Sequence, residues 1–151
     1  MNRKLERKIR DFVRLVDSDI VVCFDDTYYY DYINEWVYYA PDNLTDNGFL
    51  RHLYEYHKGA EGIELSLLTW SILHEIGHYY TWDDEFEDEE EMWERYCYQH
   101  FPCENVEQSK AMQDAYFNME SEWIATEWAI EYAKENYAIV KAFDEIFRRE
   151  F

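Results

Sequence analysis

Apolar residues recur every three to four positions through residues 3–16. Leu5, Ile9, Phe12, Val13 and Val16 fall on one helical face, and Arg and Lys side chains occupy the other. This spacing predicts an amphipathic helix, broken by Asp17, Ser18 and Asp19. The period then changes. Residues 20–24, Ile-Val-Val-Cys-Phe, form an unbroken β-branched run that reads as a buried strand, followed by a turn at Asp25 and Asp26. Residues 28–32 fit neither period. Residues 36–40 read as a second strand that Pro41 stops. Residues 42–48 are rich in turn formers, and residues 49–58 suit either a short helix or a third, irregular strand.

Beyond Gly59 and Gly62 the pattern becomes helical to the end of the chain. Leu65, Leu67, Leu68, Trp70, Ile72 and Leu73 form an apolar run without proline. They predict a buried helix of about 14–17 residues, starting between residues 61 and 64 and ending near Tyr80. Acidic residues at its start suit the helix dipole. An acidic block fills residues 83–91, and helical character resumes near Glu89 and continues to His100, before Phe101 and Pro102. Residues 108–136 read as one long helix. Residues 137–149 form a last helix or its continuation, with Ile139, Val140, Phe143, Ile146 and Phe147 on one face.

The apolar helix carries the candidate chemistry. His74-Glu75-Ile76-Gly77-His78 spells H-E-x-x-H. Side chains four apart share a helix face, so both imidazoles can grip one metal ion. Glu75 stands beside them as a base for an attacking water. Two histidines do not complete a catalytic zinc site, which has three protein ligands and an open position. The segment around Glu120, Glu122 and Glu127 is the best source of the third. Its apolar residues Trp123, Ile124, Trp128, Ala129, Ile130 and Ala133 recur at helical spacing, and a metal would remove the cost of burying an acid among them.

His74-Glu75-x-x-His78, followed by Glu122-x-x-Ala125-Thr126-x-Trp128-Ala129, resembles the zincin-like metallopeptidases of the ImmA/IrrE group and related phage-encoded proteins. The resemblance covers roughly residues 65–135. It implies a zincin-like α+β fold, Zn²⁺ held by His74, His78 and Glu122, and Glu75 as the catalytic base. It also implies a regulatory protein as substrate in a phage or mobile-element setting. The chain departs from the group at Thr126, where Asn or Asp is usual and orients a ligating histidine. Glu120 and Glu127 stay open as alternative ligands. Tyr79, Tyr80 and Tyr132 are candidate oxyanion donors, with nothing to choose among them.

Composition narrows the function classes. The chain of 151 residues suits one domain, residues 1–151, that is mostly helical with a small sheet packed against the motif helix. It carries 34 acidic against 14 basic residues, a net charge of −20, and Arg3, Lys4, Arg7, Lys8 and Arg10 crowd the N-terminus. Direct nucleic-acid binding through phosphates is therefore not expected. The surplus reads first as a solvated surface that repels anions, with a basic protein partner as the alternative. The alternative to a peptidase is an acidic, DNA-mimic-like binding or inhibitor protein that retains the metal site. The acidic block can shield the site, attract cationic substrates or simply be a solvated face.

No apolar run reaches membrane-spanning length, and the basic start lacks a signal-type apolar stretch, so a cytoplasmic location is expected. Three cysteines, Cys23, Cys97 and Cys103, give an odd count with no C-x-x-C pair, which fits reduced thiols. Cys97, His100 and Cys103 match no common zinc spacing. Any of them would have to supply the fourth ligand of a closed, structural zinc, which is a third reading. His52 and His57 read as ordinary surface or packed histidines.

Overall fold

The computed structural model describes residues 2–43, 50, 54, 57–100, 105–117 and 119–150. Helix α1, Arg3–Val16, starts at Asn2, whose side-chain oxygen accepts from the Leu5 amide. Its buried face is Leu5, Ile9, Phe12 and Val13, as the spacing requires. Three short strands follow: β1, Val21–Phe24; β2, Tyr29–Asp31; and β3, Trp36–Tyr39. The ambiguous tyrosine segment is thus a strand. The sheet order is β1-β3-β2, with β1 parallel and β2 antiparallel to β3. Residues 32–35 link β2 to β3. Asp31 holds this link by accepting from the Ile33 and Asn34 amides, and Glu35 closes it with a left-handed φ of 59°.

The motif helix α2, Leu67–Thr81, lies at the centre of the molecule. Every residue from Leu68 to His78 is buried. Burial all round follows from what surrounds the helix. Strands β2 and β3 cover one side, and helix α5, Glu120–Glu135, packs closely on another. Tyr39, fully buried on β3, donates its hydroxyl to the Ile72 carbonyl at 2.9 Å. Ile72, Leu73 and Ile76 are completely enclosed, each worth about 1.5–3 kcal/mol of burial.

The start of α2 is later than the acidic residues 61–64 suggest. Gly62 turns at φ +82°, and the chain stays non-helical until Ser66 caps the helix through the Thr69 amide. The negative charge at this end comes from a distant residue. Asp144, on helix α6 (Tyr137–Glu150), accepts from the Ser66 amide and from both the Ser66 and Thr69 hydroxyls. Phe12 stacks on Phe143 at 4.8 Å, joining α1 to the same helix.

The expected long helix over residues 108–136 is two helices. Helix α4, Val106–Phe117, precedes α5, with Met119 extended between them. Met119 has no capping side chain of its own. The opening turn of α5 is held instead by helix α3, Glu87–His100: Glu89 accepts from the Ser121 amide at 3.1 Å, and Glu90 from its hydroxyl at 2.9 Å. Part of the acidic block is therefore a cap. A short 3-10 turn, Asp84–Phe86, leads into α3, so helical structure begins before Glu89. Asn136 separates α5 from α6. No helix among the described residues is long and apolar enough to cross a membrane. His52, Cys103, and the side chains of Cys97 and His100 lie outside the described residues, as does most of the ambiguous segment 49–58.

Candidate metal centre

Helices α2 and α5 form the site by close approach. An added Cβ at Gly77 would sit 2.6 Å from the Ala125 carbonyl oxygen, so the bare glycine lets the two backbones touch. The contact brings His74 and His78, one turn apart on α2, against Glu122 on the first turn of α5. Glu122 Oε2 lies 2.6 Å from His74 Nε2 and 3.1 Å from His78 Nε2. One ligand atom from each of the three residues lies within 4.8 Å of the others, and all three side chains are buried. This group can hold a metal ion.

The donor set fits that role on its own chemistry. Burial would raise the Glu122 carboxyl, but His78 and His74 outweigh it and hold the group well below the ordinary carboxylate range. A deprotonated carboxylate and two imidazole nitrogens are borderline ligands of the kind zinc takes, and they leave a position open. Burial opposes a charge on His78, yet Glu122 prevails and raises that ring to about 9. His74 moves the other way, lowered by burial.

A surrounding layer fixes the ligands. Thr126 donates its hydroxyl to the Glu122 carbonyl at 2.8 Å, so toward His74 Nδ1, 3.4 Å away, it can only accept. Tyr54 brings its hydroxyl to 3.1 Å from the same nitrogen. These neighbours suit a ring with its proton on Nδ1, the tautomer that would give the Nε2 lone pair to a bound metal ion. The hydroxyl of Tyr116 donates to Glu122 Oε2 at 2.8 Å.

Glu75 is different in kind. It is 4% exposed, and its Oε2 is buried without a hydrogen-bond partner among the described residues. Burial pushes its carboxyl up to about 8, partly countered by His78. Such an orphaned oxygen is costly unless something arrives to use it. Glu75, His78 and Glu122 line one pocket of about 300 Å³, together with tyrosines of the sheet, Trp82, Trp93 and Tyr116.

The sequence candidates separate cleanly. His74, His78 and Glu122 come together, and Glu75 faces the same pocket. Glu120 and Glu127 are exposed and stand outside the cluster. Of the three tyrosines considered as oxyanion donors, none lines the pocket: Tyr80 gives its hydroxyl to Asp17 and stacks on Trp128, as does Tyr132. Tyr54 and Tyr116 are tyrosines whose hydroxyls contact the candidate ligands His74 and Glu122. Nothing local in the sequence marks these two, because both reach the ligands from segments distant from the motif. His57 is a packed histidine, its Nδ1 accepting from the Gly59 amide and its ring stacked on Trp123.

No protein-family model, curated protein or solved structure matches the chain.

Proposed function

We propose that the protein is a zinc-dependent metallopeptidase. The observation that carries this reading is the orphaned Glu75 oxygen, buried in the same pocket as His78 and Glu122. A structural metal site has no use for an unpaired buried carboxylate beside it. A hydrolytic site needs one. His74, His78 and Glu122 would hold the ion. When bound, zinc polarises a peptide carbonyl and lowers the pKa of water toward neutrality.

The chain's own groups account for the remaining steps. Glu75 receives the proton of the attacking water at Oε2, the charge of a bound ion favouring its ionised form against the burial that raises its carboxyl. The same oxygen then returns the proton to the leaving amine. Tyr116 fixes Glu122 by its hydrogen bond, and Tyr54 with Thr126 fixes His74, so the ligands keep their orientation through the cycle. The resemblance to the ImmA/IrrE group supports a protein substrate of regulatory type.

The test is cleavage of a mixed peptide library, read by mass spectrometry. Wild-type protein with zinc should yield discrete cuts. Glu75→Gln should lose about 10²–10⁴-fold of that activity while binding the same amount of metal and unfolding at the same temperature. Undiminished cleavage by Glu75→Gln would overturn the assignment.

A further inference from the structure

The walls of the pocket have a character that peptide hydrolysis does not require. One side is aromatic. Tyr32 stacks on Trp82 with centroids 4.6 Å apart, and Tyr30 sits 6.1 Å from Trp82 and parallel to the His78 ring. Trp93, on α3, closes the other side. Glu90 and Glu94 of the same helix line the pocket with it. The acidic helix lies near the aromatic wall: the Tyr32 hydroxyl is pushed up first by desolvation, then by the charges of Glu87, Glu91, Glu94 and Glu90. Beneath lies Glu75, buried and unpartnered. Among the described residues no Lys or Arg side chain lines this pocket, and the chain's net charge is −20.

We infer that this pocket binds a lysine or arginine side chain of the substrate, so that the site acts on basic peptides. Aromatic faces attract a cation through their ring quadrupoles, and Trp is the strongest of them. Carboxylates at the same mouth supply the counter-charge. The combination accepts the long apolar stem of a basic residue along the rings and its charged head between Glu90 and Glu94. An acidic side chain meets only repulsion there. At about 300 Å³ the pocket is at the small end of ligand sites, sized for one side chain. Burial, with Glu122 nearby, holds Glu90 up at about 7, and an arriving cation relieves the cost of its charge. The surface as a whole adds long-range steering of cationic chains toward the mouth.

The inference rests on the peptidase reading for its substrate class, so it is tested by binding rather than turnover. The probes are acetyl-Ala-Ala-Lys-Ala-Ala-amide and the same peptide with norleucine, which keeps the stem and removes the charge. Each is titrated into full-length Glu75→Gln protein by calorimetry. The lysine peptide should bind at least about tenfold more tightly, a difference that falls at high salt. Glu94→Gln, an exposed change with no hydrogen bond among the described residues to lose, should cut the preference by about threefold. Adding Glu90→Gln should bring the two peptides within about twofold. Equal binding of the two peptides overturns the proposal, and so does a lysine preference that survives both substitutions. Lysine preference without any cleavage by the wild type would sink the peptidase reading alone. Cleavage without a basic preference would sink the specificity alone.

Discussion

Gly77 shows how much of the site depends on one missing methyl group. Replacing it with Ala would gain about 1 kcal/mol of helix propensity. The new Cβ, however, would meet the Ala125 carbonyl at 2.6 Å, and backbone cannot swing aside as a side chain can. Overpacking of this kind costs about 1–3 kcal/mol or more. We therefore expect Gly77→Ala to be net destabilising by about 1–2 kcal/mol in urea unfolding. Metal affinity should also fall, because parting α2 from α5 draws Glu122 away from both histidines. Unchanged stability and affinity would show that the helices can separate freely. At this scale the sequence is most legible where spacing alone dictates geometry. His74, Glu75 and His78 are fixed by helical period. The apolar periodicity points to the segment around Glu122, and only the resemblance to the ImmA/IrrE motif picks Glu122 out from Glu120 and Glu127. Tyr54 and Tyr116 were not legible, since no local period ties them to the motif.

Elements end where distant side chains decide. The N-terminus of α2 is set by Asp144, 75 residues beyond Thr69, and not by the acidic residues preceding it in sequence. Burial opposes charge on Asp144, but the hydroxyls of Thr69 and Ser66, the Ser66 amide and Arg148 hold its carboxyl below the ordinary value. Asp144→Asn should cost about 2–4 kcal/mol at neutral pH. The pH dependence follows from the direction of the shift. A carboxyl lowered in the folded state adds stability that is fully present above its unfolded value of 3.8 and is lost as pH falls through the folded value. The gap between wild type and variant should therefore close below about pH 4. A gap independent of pH in acid denaturation would contradict the charged network. The same kind of remote cap splits the helix expected over residues 108–136. Glu89 and Glu90 satisfy Ser121 at the start of α5, and nothing within that segment announces the break. By contrast α1 and the body of α2 were readable, because each carries its own period and its own stop.

At the scale of the molecule, a sheet and a helix sandwich one buried helix and turn its polar residues into a site. The α+β character follows from the sequence pattern, while the packing of the sheet on α2 was an expectation from the zincin resemblance. The mixed order β1-β3-β2 does not, since strands of three and four residues carry too little pattern to specify their neighbours. The acidic surplus, read along the chain as a solvated face or a lure, turns out to be divided. Glu89 and Glu90 cap a helix, while Glu90 and Glu94 also line the pocket. All of these features converge on a buried group between α2 and α5 that can hold a metal ion. The most direct test is elemental analysis of untagged wild-type protein beside His78→Ala and Glu122→Ala, each first checked for folding. The account predicts about one zinc per chain in the wild type and essentially none in either variant, as three-ligand catalytic sites require. Full zinc retained by Glu122→Ala, or no metal in the wild type after zinc is supplied, would contradict it.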